Sequence, residues 1–467
     1  MVKLMMKTRL LMLFLALIFA FCSCVEISVE TNDPSASESV PESDAPDSSI
    51  ADSSAPDVSG KPDEISDEES VEESSSAAQT GEAEEKVISF LACPDNIIHP
   101  SVYYHALQTA AKNNGVEPDY SDLQNADYEF SHIYDNIAAM INSADISYVN
   151  VETLIGGNEN PIYGYPVFNS PEKAGETLID LGFDIYNLAH NHMLDSYNDK
   201  YLINCDRFFT ERGQTTIGYY ENKDDLDNIV IYEEQGVKIA FLAYTYETNG
   251  IRLGSSASTY IPYINSDLMK KQMKLAKERA DLVFVSMHWG DEDSFTPNSA
   301  QRSAAQTLVD EGADVIIGMH PHVIQESKWV TREDGSRCFL TYSLGNMLSG
   351  MYGGKNALGS VLSLDIICKG DQAPYVDNVQ IIPTVCHYVF KGSVNSQMDT
   401  GFRDFEIYLL EDYTQELAAA HGVHRNKTLG KIINFDSELD GNFSLETLYS
   451  KVKKIIPAEF LPEAFSE

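Results

Sequence analysis

Positive charge is scarce in this chain: 32 Lys and Arg stand against 72 Asp and Glu, a formal net charge of −40 over 467 residues. So negative a surface excludes nucleic acid and a bare anionic membrane face as partners, since both would repel it. Cysteine is sparse too. The seven present are widely spaced, which excludes a disulfide framework; Cys93, Cys205, Cys338, Cys368 and Cys386 are expected as small buried residues. Beyond the first two dozen residues no segment approaches eighteen apolar residues, so no membrane-spanning helix is expected. Internal repeats are lacking as well.

What is present begins with a leader. Lys3, Lys7 and Arg9 precede an apolar run from Leu10 to Phe21, long enough for a signal-peptide core and too short for a comfortable membrane span. The run ends in Phe21-Cys22-Ser23-Cys24, which resembles a bacterial lipobox. Residues 1–23 are then a signal peptide and Cys24 the lipidated residue, anchoring the chain to the outer side of the cell membrane; ordinary secretory cleavage near Ser23 is the alternative. Residues 24–86 read as a disordered acidic linker. From Val25 to Lys86 there are 19 acidic residues and two lysines, too little apolar surface to offset the entropy of ordering.

From Val87 the composition changes to short apolar runs alternating with amphipathic stretches. Strands are expected at Val87–Cys93, Ile146–Val151, Asp184–Ala189, Val237–Tyr244, Leu282–Met287, Val315–Met319, Cys338–Ser343 and Val361–Ile367, several of them apolar throughout, as strands buried on both faces are. Helices are expected after Ser170-Pro171 (cap, then proline at the first position), from about Ser266 to Ala280, and after Asn298, where Gln301 completes a capping box. The alternation gives an α/β class, a layered sheet flanked by helices, over residues 87–390. Residues 391–467 lose the pattern and are expected as a mixed C-terminal extension, with His421 an ordinary surface histidine.

Metal-type side chains collect where strands end. Asp95 follows the first strand, with Cys93 and His99 nearby. Asn150 and Glu152 follow the second; His190, Asn191, His192 and Asp195 the third; His288, Asp291 and Glu292 the fifth; His320 and His322 the sixth. Open α/β sheets bind ligands at this carboxyl edge. Each residue alone has a plainer explanation: a lone histidine is more often a bonded core residue, Asn191 or Asp95 could cap a helix, and Asn150 and Glu152 could face solvent on an edge strand. Together they are harder to dismiss, because six of the eleven histidines lie at these junctions and His320 and His322, two apart, can point the same way from an extended backbone.

The segments Asn150-Val151-Glu152, Leu188-Ala189-His190-Asn191-His192 with Asp195, Met287-His288-Trp289-Gly290, Gly318-Met319-His320-Pro321-His322 and Tyr342-Ser343-Leu344-Gly345-Asn346 resemble, in order, the motifs of the CapA family of capsule and poly-γ-glutamate synthesis proteins, within the calcineurin-like metallophosphatase superfamily. That resemblance implies a metallophosphatase-like sheet sandwich. It also implies metal ligands at Asp95, Glu152, Asn191, His288, His320 and His322, with catalytic roles for His192, as proton donor to the leaving group, and for Asp195. Pro94 stands where the family has glycine, and Ile97 where the superfamily has a further histidine, leaving that metal position weaker or completed by His99 or Cys93.

Mixed imidazole, carboxylate and amide ligands suit two Mn, Fe or Zn ions better than Ca, and such a pair serves phosphoester hydrolysis. The implied setting is a membrane complex that makes or exports an anionic capsule polymer. The rival reading is a non-catalytic component of that complex, binding the polymer through a degraded metal site. A zinc amidohydrolase is disfavoured, since its His-x-His pair follows the first strand rather than the sixth.

Overall fold

The computed structural model describes residues 85–255, 257–392 and 401–466. The leader, Cys24 and the acidic linker up to residue 84 lie outside the described residues. Fourteen strands are described, in chain order β1 (Glu85–Asn96), β2 (Ile146–Asn150), β3 (Ile185–Asn187), β4 (Thr215–Ile217), β5 (Val230–Glu234), β6 (Val237–Thr245), β7 (Leu282–His288), β8 (Val315–Met319), β9 (Ser327–Thr331), β10 (Arg337–Thr341), β11 (Asn346–Leu348), β12 (Leu358–Lys369), β13 (Tyr375–Phe390) and β14 (Phe402–Leu409).

They form two mixed sheets. One runs β14-β13-β12-β1-β2-β3-β4, with β11 also paired to β1; the other runs β5-β6-β7-β8-β10-β9. Neighbours from β1 through β4 are parallel, as are β6-β7, β7-β8 and β8-β10, while β12, β13 and β14 continue antiparallel. All eight expected strands are present. The α/β class and the two-sheet layering hold.

Strand alternation explains the unbroken apolar runs. On β1, Ile88, Phe90 and Ala92 enter one core together with Phe241, Phe284 and Ile317 of the other sheet. Leu91 and Cys93 point the opposite way into a second core beneath helices. On β7, Leu282 and Phe284 face the first sheet, while Val283, Val285 and Met287 pack with Leu308 and Val309 of the helix Ser299–Asp310. Phe90 and Phe284 meet edge to face at 4.9 Å, and each buried ring contributes about 1.5–3 kcal/mol through burial. Gly318 lets β8 approach its neighbour: a Cβ there would sit 2.0 Å from Tyr342 O.

The helix ends are partly as expected. Asn298 and Gln301 form the reciprocal capping box, and the helix Ser266–Arg279 is capped by Asn265. Ser170 does not cap. The third-strand helix spans Glu172–Asp180 with Pro171 itself at the cap position, and Ser170 Oγ instead bonds Thr153 Oγ1 at 2.6 Å. His421 is not on the surface: it is 2% exposed, held by Cys386 O at 3.1 Å. The segment after Lys391 contributes β14 to the first sheet, and Leu448, Val452, Ile456 and Phe460 to the inter-sheet core. Among the described residues no helix is long and apolar enough to cross a membrane.

Candidate metal centre

The parallel strands of both sheets end at one edge, and there the expected residues meet. Asp95 lies at the end of β1, Glu152 just past β2, His288 at the end of β7, and His320 and His322 just past β8. Asp95 is bound from three sides. Asn150 Nδ2 donates to Oδ1 (2.6 Å), the His320 backbone N–H donates to Oδ2 (3.1 Å), and His322 Nδ1 lies 3.3 Å from Oδ2. Glu152 Oε1 stands 3.5 Å from His288 Nε2 and 3.6 Å from His322 Nε2. His288 Nε2 also faces Asn191 Oδ1 at 3.0 Å, and the His288 and His320 rings are 4.8 Å apart.

Two sets of ligand-type atoms emerge, Glu152 with His320 and His322, and Asp95 with Glu152 and His288, each within 4.8 Å of one another. Glu152 belongs to both. Its carboxylate is fully buried, and neither oxygen has a hydrogen-bond partner; burial, then the neighbouring Asp95 charge, push its pKa well above the usual carboxylate range. An unpaired buried carboxylate calls for a cation. The spacings fit one, because two ligands each about 2.0–2.2 Å from a tetrahedral ion stand about 3.4 Å apart.

The imidazoles are prepared in the same sense. Burial pushes His288 and His320 well below the ordinary histidine range, so both are neutral and able to ligate. His322 goes the other way: burial opposes the charge, but the hydrogen bond and charge of Asp95 outweigh it and raise its pKa. Its Nδ1 faces two acceptors, Asp95 Oδ2 and Asn346 Oδ1 (3.0 Å). The proton therefore sits on Nδ1, which leaves Nε2 free to act as a ligand atom. Three of these residues occupy left-handed backbone, Glu152 (φ 23°), His320 (φ 95°) and His322 (φ 56°), a conformation that costs non-glycine residues energy and gathers at functional sites.

Beside them, His192 Nδ1 lies 2.8 Å from Asp195 Oδ2, and that oxygen also accepts from Phe168 N–H at 2.7 Å. Phe168 packs edge-on against the imidazole, ring centroids 4.6 Å apart. All eight metal and catalytic residues read from the sequence thus lie within one buried constellation. His99 and Cys93 do not join either ligand set. His99 Nδ1 accepts from Gly350 N–H at 3.2 Å and burial pushes its pKa down to about 3; Cys93 is part of the core under the helices. Neither helix-capping nor a solvent-facing edge accounts for these residues: His99, not Asp95, is at the cap position of the helix Pro100–Asn113, and Asn150 and Glu152 are fully buried.

Sequence reasoning missed the residues that orient these ones. Asn187 Nδ2 donates to Asn150 Oδ1 at 2.8 Å, so an amide chain from Asn187 through Asn150 reaches Asp95. Tyr246, past β6, lays its ring 4.6 Å from that of His320. Asn249 bonds Asn191. An Asn-Gly pair in the loop after β6 was the available signal for Asn249.

Several known proteins are similar to this chain. Residues 89–351 match the model of the bacterial capsule synthesis protein PGA_cap. The chain is 35% identical over 187 residues to the capsule biosynthesis protein CapA of Bacillus anthracis, covering 38% of this chain and 43% of that one. It is 29% identical over 208 residues to the PGA biosynthesis protein CapA of Bacillus subtilis (strain 168), covering 42% and 52%. The match therefore spans about half the length of these relatives. Among solved structures, the NAD nucleotidase NadN of Haemophilus influenzae overlaps at a TM-score of 0.40 with 12% identity, covering 79% of this chain and 67% of that one. The calcineurin-like phosphoesterase YfkN of Bacillus subtilis overlaps at 0.37 with 12% identity, covering 64% and 91%. The family match takes in more than half of the chain and every metal-type residue from Asp95 to His322, and by it the chain belongs to the PGA_cap family of bacterial capsule synthesis proteins.

Proposed function

We propose that this chain is an extracytoplasmic protein of capsule or poly-γ-glutamate synthesis that carries a two-metal phosphoesterase centre. The observation that carries the reading is Glu152, a buried carboxylate with no hydrogen-bond partner, common to two sets of ligand-type atoms. Asp95, Glu152, Asn191, His288, His320 and His322 would hold the ions, with Mn, Fe or Zn the metals that such a donor set suits. Bound there, two divalent ions would neutralise the charge that develops on a phosphoryl group.

The protein's own groups do the rest. Asn150 and the His320 backbone N–H hold Asp95, and Asn346 holds His322 in the tautomer that leaves Nε2 free. Asp195 fixes the proton on His192 Nδ1 and aligns the ring, so that Nε2 can give a proton to the leaving oxygen. The test is hydrolysis of an artificial phosphodiester by the manganese-loaded protein. Wild type should turn over the ester; His192→Ala should keep its metal and lose at least a hundredfold in rate, within the range of general acid catalysis. Metal bound with no hydrolysis by wild type would instead favour the polymer-binding component, the reading to which Pro94 and Ile97 lend support.

The leader and Ser23-Cys24 support a lipid anchor on the outer side of the membrane, with the acidic linker as spacer. Cys24→Ala should shift the protein from the detergent phase to the aqueous phase; a wild type already in the aqueous phase would replace the anchor with simple secretion.

A further inference from the structure

The loop after β6 contributes none of the candidate ligands, yet it reaches the centre. Thr248, Asn249, Gly250 and Ile251 make a tight turn closed by Ile251 N–H donating to Thr248 O at 2.8 Å. Both central residues are left-handed, Asn249 at φ 51° and Gly250 at φ 73°. That pattern belongs to a type I′ turn, and Asn-Gly adopts it at low steric cost. Buried Thr248 anchors the turn, its hydroxyl donating to Ile251 O at 2.6 Å and lying 2.7 Å from Tyr263 Oη.

The turn places the Asn249 side chain against both Asn191 and His192. Asn191 Nδ2 donates to Asn249 Oδ1 at 3.1 Å, and Asn249 Nδ2 lies 3.3 Å from His192 Nδ1. The two contacts differ in kind. With His192 Nδ1 turned to Asp195 Oδ2 at 2.8 Å, its approach to Asn249 is packing that limits ring rotation. The Asn191 contact selects an orientation. An asparagine can ligate a metal only through oxygen, and a flipped amide would present nitrogen instead. An acceptor waiting for the NH2 group removes that choice and leaves Oδ1 facing His288 Nε2.

We propose that Asn249 is a positioning residue of the metal centre, holding Asn191 with its oxygen turned toward His288 while its amide packs against His192. This rests on the reading of Asn191 as a metal ligand. Two variants of the full chain separate side chain from backbone. Asn249→Gly keeps the left-handed turn and removes both contacts, whereas Asn249→Asp keeps the acceptor for Asn191 and loses the NH2 group. Each is stripped with chelator and titrated calorimetrically with manganese, and the unfolding midpoint of the stripped protein is recorded beside it. Asn249→Gly should bind manganese about 10–100-fold more weakly than wild type at an unchanged stripped midpoint, and Asn249→Asp should recover most of the loss. Wild-type affinity in Asn249→Gly would overturn the proposal, as would an Asn249→Asp variant as weak as the glycine one. If the glycine variant fails to fold, the aspartate variant decides: near-wild-type affinity supports the proposal, and a tenfold loss overturns it. A wild type that binds no manganese would instead remove the metal reading itself, and this inference with it.

Discussion

Glu152 shows most plainly what a single residue can reveal. A carboxylate buried without a partner is costly, and the left-handed backbone beneath it adds to that cost. Replacing it by Gln fixes the group in a neutral form, keeps the shape, and supplies an NH2 group that can donate to Asp95. In the metal-free protein, Glu152→Gln should therefore raise the unfolding free energy by about 1–3 kcal/mol, and the same variant should gain nothing from added manganese. Urea unfolding with and without chelator reads both effects. A Glu152→Gln variant that is less stable than wild type without metal would mean that the carboxylate has a structural partner of its own.

Elements differ in how far the sequence reveals them. Strands buried on both faces were legible because β1, β7 and β8 lie in the middle of their sheets and carry Val, Ile, Leu and Phe almost without interruption. The edge strands β4, β5, β9 and β14 have mixed burial, and no run of apolar residues marks them. The Asn298–Gln301 box was legible because both partners are local; Ser170 misled because its hydroxyl is taken by Thr153, a contact distant in sequence. For the same reason the candidate ligands could be found at strand ends, while Asn187, which orients Asn150 from the neighbouring strand, could not, and Asn249 was marked only by its Asn-Gly turn signal. Two buried histidines, His387 on β13 and His421 beyond it, make stability depend on pH. Burial pushes His387 on β13 down to about 4 and His421 down to about 3, Asp404 working slightly the other way on His387. Against an ordinary value near 6.5, the unfolded chain takes up protons that the folded chain refuses. Stability is thus fully present above about pH 6.5 and is lost as pH falls toward 4, by about 3 kcal/mol for His387 alone. Urea unfolding at pH 7.5 and pH 5 should show a loss that shrinks in His387→Gln; an equal loss in that variant would place the linkage elsewhere.

Taken whole, the molecule is two sheets that bring the carboxyl ends of their parallel strands to one edge. Asp95 and Glu152 come from one sheet, His288, His320 and His322 from the other, and the inter-sheet core of Phe90, Phe241 and Phe284 sets them face to face. Neither sheet has a complete ligand set alone. On the proposed metal centre, binding would be linked to the packing of the two sheets, and loss of one ligand would leave the others without their common partner. Metal content of the purified protein tests this most directly. Wild type should carry one or two transition-metal ions per chain, and His288→Ala and His320→Ala should each lose at least one while remaining folded. A folded wild-type protein that takes up no Mn, Fe or Zn, or histidine variants with undiminished metal, would contradict the account.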